Sequence, residues 1–215
     1  MYWAPSLYIY NPNDMKYHIV PTFTRAYYRI RYNNNDDPSD EIQPFPPFLR
    51  MIAGTASRAV YWNDGHEHDN IRWTNRTWNR RTTNSIEHGD WEYFLASTEQ
   101  EIDAMEQLEM NVNFPECVQV EADGVTPRTS SNDWRSHVSY RMDDSRCPQD
   151  FPYHMPSLVL EVRYKLDETR DSLGDDAYVV NQVANWRLSS GDTSGAGAHA
   201  DFISGWPMDL MRDAM

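Results

Sequence analysis

The sequence lacks several features that would place it in a familiar class. It has no apolar run of roughly eighteen or more residues, so no membrane-spanning helix is expected. Basic residues are scarce, since 19 Lys and Arg face 33 Asp and Glu, and the net charge is -14. That balance argues against nucleic-acid binding, which needs a basic face. We also find no Gly-rich phosphate loop, no nucleophile elbow and no Cys–His pair at an informative spacing.

Cysteine is also scarce, and no signal peptide is evident. The two cysteines, Cys117 and Cys147, are compatible with one disulfide, although two buried free thiols fit the count equally well. The segment Met1–Pro5 leads directly into strand-like sequence, so we expect either a removed leader or a fragment. The sequon that begins at Asn75 is a glycosylation acceptor if the protein is secreted.

Aromatic and alternating segments dominate what is present. Eight Trp, thirteen Tyr and seven Phe supply much of a core. Tyr2–Tyr10 is typical of a strand bent at Pro5. Ala26–Tyr32 and Leu158–Lys165 alternate with a period of two residues, which predicts half-buried strands. Tyr178–Leu188 is interpreted as a further strand, preceded by a polar loop.

Helical signals are few. A capping pattern at Ser97 or Thr98 predicts one short central helix, and Pro207 suits the first residue of a C-terminal helix. Many short strands joined by Pro, Gly and Asn connections predict an all-β fold. We therefore expect residues 1–215 to form a single-domain antiparallel β-sandwich or barrel-like fold with long loops.

The glycine-rich stretch Ser189–Trp206 is the most distinctive segment. Its glycines let the backbone turn and approach other segments closely, so that polar side chains such as His199 and Asp201 can converge on a small volume.

Together with other segments, this stretch carries a family resemblance. The other segments are Cys117, Trp134–Tyr140, Cys147–Pro148, Leu158–Tyr164 and the block Tyr2–Ala53. The chain resembles the secreted domain of unknown function nineteen-ninety-six, closely over Tyr2–Ala53 and Asn113–Met215 and poorly over Gly54–Val112. The family has no settled activity. The resemblance implies a secreted, cell-wall-associated glycoprotein in an oxidising setting, and it favours the disulfide.

The family pattern also groups the polar candidates. It runs through a Ser-His pair, a Gly-Asp pair and G-x-H-x-D-F-x-N-G-W, which here are Ser136–His137, Gly191–Asp192 and Gly197–Trp206, with Ser204 in place of the usual asparagine. If these loops meet, His137, His199 and Asp201 can hold a divalent metal. Alternatively, His199 acts as a general base oriented by Asp192, or a carboxylate acts as an acid. A purely structural hydrogen-bond network is the third possibility.

Two departures from the family bear on these candidates. Family members usually begin with a segment that contains a Ser-x-His-x-His motif, and this chain starts downstream of it. Either the chain is truncated at its N-terminus or this member has lost the activity. A second cysteine pair that is usual across the middle of the chain is also missing.

Two weaker signals concern metal and sugar. The His-x-His loop Gly65–Asp69 can bind zinc, but such loops are more often solvated. The mixture of Trp, Arg and Asn in Asn70–Arg81 suits stacking on sugar rings, although tryptophans more often serve the core, and such residues also concentrate in protein interfaces.

We therefore expect a secreted, carbohydrate-directed protein that binds or processes polysaccharide through its His/Asp site. The alternative is a non-catalytic structural or assembly component whose partners are other extracellular proteins. Whether the protein is an enzyme, and whether it uses a divalent metal, stays open at this point.

Overall fold

The computed structural model describes residues 1–30, 41–57, 70–77, 80–85, 91, 99–142 and 146–214. Within these ranges the chain is rich in antiparallel strands, which form four sheets, and none of the sheets closes into a barrel. The expected all-β, sandwich-like class is confirmed.

The strands are β1 Tyr2–Trp3, β2 Leu7–Asn11, β3 Lys16–Ile19, β4 Thr22–Arg29, β5 Arg50–Gly54, β6 Ile71–Thr77, β7 Arg80–Ser85, β8 Gln107–Asn113, β9 Cys117–Val118, β10 Val138–Ser139, β11 Tyr153–His154, β12 Ser157–Lys165, β13 Trp186–Leu188 and β14 His199–Ile203.

The largest sheet has five strands in the order β4-β12-β8-β6-β7. Its longest strand, β12, covers the alternating segment that predicted a strand. Leu158, Leu160, Val162 and Tyr164 point to one face and are fully or almost fully buried. Opposite them on β8, Leu108 and Met110 are also buried, because directly paired residues share a face of the sheet. This face forms the main wall of the core.

A second sheet joins the two ends of the chain. Its order is β1-β14-β5, and the register pairs Tyr2 with Phe202 and Trp3 with Asp201. On its inner face, Phe202 contacts the rings of Tyr2, Phe45 and Phe114. The hydroxyls of Tyr2 and Tyr28 are hydrogen-bonded, and Tyr28 lies on β4, so the two sheets meet across this aromatic layer. The outer face of the smaller sheet carries Trp3, His199 and Asp201.

The two remaining sheets are small. The order β13-β2-β3 extends the N-terminal strand beyond its break at Pro5. The order β10-β9-β11 contains Cys117, which forms a disulfide with Cys147 at a Cα–Cα distance of 5.6 Å. The predicted disulfide is therefore confirmed.

Helices are short. They are α1 Glu99–Asp103, α2 Leu166–Leu173 and α3 Met208–Ala214. The expected central and C-terminal helices are α1 and α3, although the proposed capping residues of α1 lie outside the described ranges. None of the described helices is long and apolar enough to cross a membrane.

Helix α2 was not predicted, because its sequence was interpreted as a polar loop. Two carboxylates, Asp167 and Glu168, lie in its first turn, where they interact favourably with the helix dipole. Arg170 donates to the carbonyl oxygens of Ile102 at 2.7 Å and Met105 at 2.8 Å, and so fixes α2 to the end of α1. A tertiary contact therefore decides the conformation of a segment with little apolar pattern of its own.

The predicted strand Tyr178–Leu188 is also mostly wrong. The chain forms 3-10 helices over Gly174–Asn181 and Val183–Asn185, and only Trp186–Leu188 is a strand. Val179 and Val180 are both fully buried although they are adjacent in sequence. A strand would send adjacent side chains to opposite faces, so this burial pattern does not fit the period of a half-buried strand.

Removing the disulfide should destabilise the fold through the unfolded state. The bridge spans 30 residues, and the chain-entropy model assigns such a loop ~3.6 kcal/mol. We expect the Cys117→Ser/Cys147→Ser double variant to lose about that much unfolding free energy in urea denaturation. Adding a reducing thiol should weaken the wild type to a similar extent and leave the double variant unchanged. Equal stability of wild type and variant would contradict the expected role of the bridge.

Candidate functional site

The glycine-rich tail is fixed on a cluster of tryptophans. Gly195 adopts a φ of +76°, and a Cβ at this position would come within 2.6 Å of the Trp91 ring. Its carbonyl oxygen accepts a hydrogen bond from Trp73 Nε1 at 3.1 Å, and the Trp91 backbone N–H donates to the Ser194 carbonyl oxygen at 2.7 Å. Trp73 and Trp91 are fully buried and meet edge to face. Only glycine combines this backbone conformation with so close an approach.

Asp192 shapes the turn that leads into β14. One carboxylate oxygen accepts from the Ser194 backbone N–H at 2.9 Å and from its hydroxyl at 2.7 Å. The other oxygen accepts from the Gly197 backbone N–H at 3.1 Å. The hydrogen bond of His199 Nδ1 goes to the Gly197 carbonyl oxygen at 2.8 Å and not to Asp192. The predicted orientation of His199 by Asp192 is therefore wrong in its direct form, because a backbone carbonyl takes that place.

His199 lies in β14 beneath an aromatic ring. Only 7% of the residue is exposed, and the Trp3 ring centroid lies 5.2 Å from the imidazole centroid. Its cross-strand partner is Gly54, where a Cβ would collide with the Ala198 carbonyl oxygen. Because Nδ1 donates to a carbonyl oxygen, the tautomer and orientation of the ring are fixed.

Asp201 completes a small polar group on the same face. It lies two residues after His199, so the two side chains share one side of the strand, and it is paired directly with Trp3 and Ile52. Burial raises the pKa of the Asp201 carboxyl above its usual value, while His199 and Arg135 act in the opposite direction. Arg135 also donates to the Thr55 hydroxyl at 3.3 Å. The site thus combines an aromatic ring, an imidazole, a carboxylate and a nearby guanidinium.

The loop that bears Ser136 and His137 runs along the other edge of β5. The Arg50 and Ile52 backbone N–H groups donate to the carbonyl oxygens of Thr129 at 2.8 Å and Trp134 at 3.1 Å. The loop and β14 therefore lie on opposite edges of β5, so this strand separates the two segments that we expected to meet. Two strand spacings separate them, which is about 10 Å.

His137 belongs to a separate hydrogen-bond network. The Ser131 hydroxyl donates to Asp133 at 2.7 Å, so its oxygen accepts the Nδ1 proton of His137 at 2.8 Å. Nε2 is buried and has no hydrogen-bond partner among the described residues. Burial lowers the pKa of His137, and the backbone of Arg50 and the charge of Asp133 oppose this shift only in part. Four donors from Ser131, Arg135 and Ser136 hold the pKa of the Asp133 carboxyl well below its usual range.

The structure does not assemble the predicted metal site. Within the described ranges, no three His, Cys, Asp or Glu side chains come close enough together to hold a metal ion. His137 and His199 each use Nδ1 in a hydrogen bond to another part of the protein, and β5 lies between their backbones. His199 and Asp201 do lie side by side.

Two residues of this site were not singled out from the sequence. Trp3 is 47% exposed and lies over His199, and Arg135 lies close to Asp201. The available signal was the alternation in β1, where Tyr2 packs inward and Trp3 therefore faces outward. Only the pairing of β1 with β14 brings Trp3 to the histidine, and a local pattern does not contain that information.

The remaining candidates lie elsewhere. Asn75 is half-buried in β6, on the same face as Ile71 and Trp73, and its glycosylation stays a prediction. The zinc candidate Gly65–Asp69 lies outside the described residues, and so does much of the proposed sugar-stacking mixture.

With this geometry in place, comparison with family models decides the affiliation of the chain. Residues 1–206 match the model described as Domain of unknown function (DUF1996). The chain belongs to this family. The DUF1996 match includes residues 54–112, where the resemblance looked poor, and it contains all three strands that carry the candidate site. The searches of curated proteins and of solved structures found no match.

The buried imidazole of His137 should make the stability of this DUF1996 domain depend on pH. Its folded pKa lies below the unfolded value of 6.5, so acidification below that value protonates the unfolded chain preferentially and lowers the unfolding free energy. We expect His137→Asn, which keeps a polar group near Ser131 and does not titrate, to lose less stability than the wild type between pH 7.5 and 5. Urea denaturation at several pH values measures this. Parallel pH profiles for the two proteins would show that His137 is not responsible.

Proposed function

We propose that the chain is an extracellular polysaccharide-binding domain that holds a neutral glycan on the outer face of the β1-β14-β5 sheet. The observation that carries the proposal is the Trp3 ring. It is half exposed, its centroid lies 5.2 Å from that of His199, and its strand position is directly opposite Asp201. An exposed aromatic ring beside a few fixed polar groups is the usual composition of a small-ligand site.

The chemistry of a sugar ring fits this arrangement. The C–H-rich face of a pyranose is apolar and stacks on an indole, while its hydroxyls need hydrogen-bond partners at the edge. Asp201 accepts hydrogen bonds and Arg135 donates them, and bonds to charged groups are stronger than neutral ones. Because Trp3 is already held against His199, less side-chain freedom is lost on binding.

A groove beside the platform provides room for a longer chain. It has a volume of about 450 Å³ and lies between the N-terminal segment and β4 and β12. Trp3 and Pro5 line one side, and the exposed residues Thr22 and Thr24 line another. A ring stacked on Trp3 can therefore continue into a groove that offers both hydroxyls and apolar surface.

The burial and hydrogen bonding of His137 and His199 favour a role in binding polysaccharide over a role in cleaving it. General acid–base catalysis needs a titrating group that faces the reacting atom. His199 and His137 are instead buried, and each uses Nδ1 in a structural hydrogen bond. Asp192 is likewise occupied in shaping a turn.

The disulfide supports placing the domain outside the cell. Disulfides persist mainly in oxidising compartments, and Cys117 and Cys147 are paired. A cell-wall setting would supply the polysaccharide partner.

A structural or assembly role is the second candidate. The histidines are buried and paired in the way a purely structural network requires. Large apolar side chains are also exposed, including Phe48 at 73%. In that role another extracellular protein would cover such side chains, and no sugar would be bound.

The test compares Trp3→Ala with Phe48→Ala, a matched loss of an exposed ring outside the site. The wild type and the two variants are each incubated with insoluble cellulose, chitin, β-1,3-glucan and mannan, and the bound fraction is measured across protein concentrations. We expect the wild type to bind at least one of them, Trp3→Ala to bind about tenfold more weakly, and Phe48→Ala to bind normally. Failure of the wild type to bind any of the four, or equal binding by Trp3→Ala, would overturn the proposal.

Replacing Asp201 with asparagine should raise the stability of the domain and weaken its binding to polysaccharide. The folded pKa of Asp201 is raised above 3.8, so ionisation costs the folded state free energy as pH rises through the window above that value. Asp201→Asn removes this cost and should be more stable than the wild type at pH 7, by less than about 1 kcal/mol because solvent screens a half-exposed group.

The same variant should bind polysaccharide more weakly, because an amide replaces the charged acceptor. Below pH 3.8 the stabilities of the two proteins should converge. A variant that is less stable than the wild type at pH 7 would show that Asp201 makes favourable contacts in its charged form.

A further inference from the structure

The outer face of the five-stranded sheet carries two rows of polar and aromatic side chains that run across the strands. The register places the members of each row directly opposite one another, so they share one face, which points away from the core. Each row crosses four strands and spans about 14 Å. The first row is Arg25, Glu161, Asn111 and Arg72, and the second is Phe23, Arg163, Glu109 and Thr74.

The negative charges of these rows lie at the bottom. Glu109 is 0% exposed and Glu161 is 4% exposed. Arg163 bridges them, with Nε 3.1 Å from a Glu109 oxygen and Nη2 2.6 Å from a Glu161 oxygen. Asn111 also donates to Glu109 at 2.7 Å. Buried carboxylates are costly unless paired, so Arg163 holds both of them in place and is itself held.

Arginines and aromatic rings lie around the two glutamates, and the exposed ones are on strands β4 and β6. Arg25 is exposed, and its guanidinium lies 4.9 Å from the centroid of Phe23. Arg29 is exposed and lies 5.7 Å from the centroid of Tyr27, two positions further along the same face. Arg72 is exposed at the far end of the first row. Among the described residues, the three arginines and two glutamates of the two rows together with Arg29 carry a net charge of +2, although the whole chain has a net charge of -14.

We propose that this face binds an anionic polysaccharide, specifically a uronate chain that lies across the strands. Guanidinium groups match carboxylates in a bidentate geometry, and the exposed arginines Arg25 and Arg29 are placed to make such contacts, while Arg163 is already paired with Glu109 and Glu161. Phe23 and Tyr27 offer rings beside the arginines for the apolar faces of the sugars. This proposal does not rest on the Trp3 platform, which lies on the other sheet.

The rest of the chain is acidic, and this limits how a polyanion can bind to the face. A polyanion is repelled by an acidic protein at long range, so attraction must come from short contacts on this face. Such binding should weaken as salt is added, because exposed charges are screened within about 10 Å at 0.1 M ionic strength.

The experiment uses polygalacturonate and its methyl ester, in which each carboxylate is replaced by a neutral methyl ester on the same sugar backbone. Affinity electrophoresis of the full chain, with each polymer in the gel, measures binding at low ionic strength. Arg25→Gln/Arg29→Gln removes two charges from the face. The matched control Arg128→Gln/Arg212→Gln removes two exposed arginines from elsewhere on the surface. We expect the wild type and the control variant to bind polygalacturonate equally well. Arg25→Gln/Arg29→Gln should bind it about tenfold more weakly than the wild type. None of the three proteins should bind the methyl ester.

Four results would overturn the proposal. The first three are no binding of the wild type to polygalacturonate, equal losses in the two double variants, and equal binding of dextran sulfate and polygalacturonate. Trp3→Ala should leave polygalacturonate binding unchanged, which separates this face from the site of the proposed function. A loss in Trp3→Ala as large as that in Arg25→Gln/Arg29→Gln would place the anionic chain on the Trp3 face and overturn the assignment.

Discussion

The structure depends on the pairing of β14 with strands from the beginning of the chain. β14 lies between β1 and β5, and Phe202 beneath it contacts Tyr2, Phe45 and Phe114. Contacts of such large sequence separation close a long loop, and that loss of chain entropy has to be offset by the apolar area they bury. The same pairing places Trp3 over His199 and opposite Asp201. The candidate site is therefore a consequence of the closure of the fold and cannot form before it.

Local patterns predicted the parts of the fold that depend on neighbouring residues. The alternation in Leu158–Lys165 predicted β12. The tail with His199 and Asp201 was interpreted as a glycine-rich loop, but His199–Ile203 forms a strand because it pairs with β1 and β5. Helix α2 was missed because Arg170 stabilises it through carbonyls of a distant helix. The metal trio was one of three possibilities, but a serine hydroxyl takes Nδ1 of His137 and a backbone carbonyl takes Nδ1 of His199. The hydrogen-bond partner of a buried histidine depends on strand register and on loop geometry, and the spacing of residues in the sequence predicts neither.

Several buried polar atoms remain without partners among the described residues, namely Trp91 Nε1, His137 Nε2 and Ser204 Oγ. An unpaired buried group costs about 1–3 kcal/mol, so each needs a compensating gain. For Trp91 the gain is packing, since its ring supports Gly195 and meets two other tryptophans. Ser204 occupies the position where the resemblance leads one to expect asparagine, whose longer side chain reaches further for a partner. The backbone of Ser204 is paired, since its N–H donates to the Leu49 carbonyl oxygen at 2.8 Å and its carbonyl oxygen accepts from the Phe48 N–H at 3.1 Å.

The two candidate faces belong to sheets that pack through their inner sides. Tyr28 of β4 meets Tyr2 and Phe45 in the aromatic layer between the sheets, so the outer faces point away from each other. One face presents Trp3 beside a half-buried carboxylate, and the other presents arginines above buried glutamates. The two glutamates can be buried at a low cost in free energy because Arg163 pairs with both carboxylates. The exposed arginines keep their charged groups in water. The two proposals therefore concern faces that differ in charge and point in different directions, so each can be tested without disturbing the other.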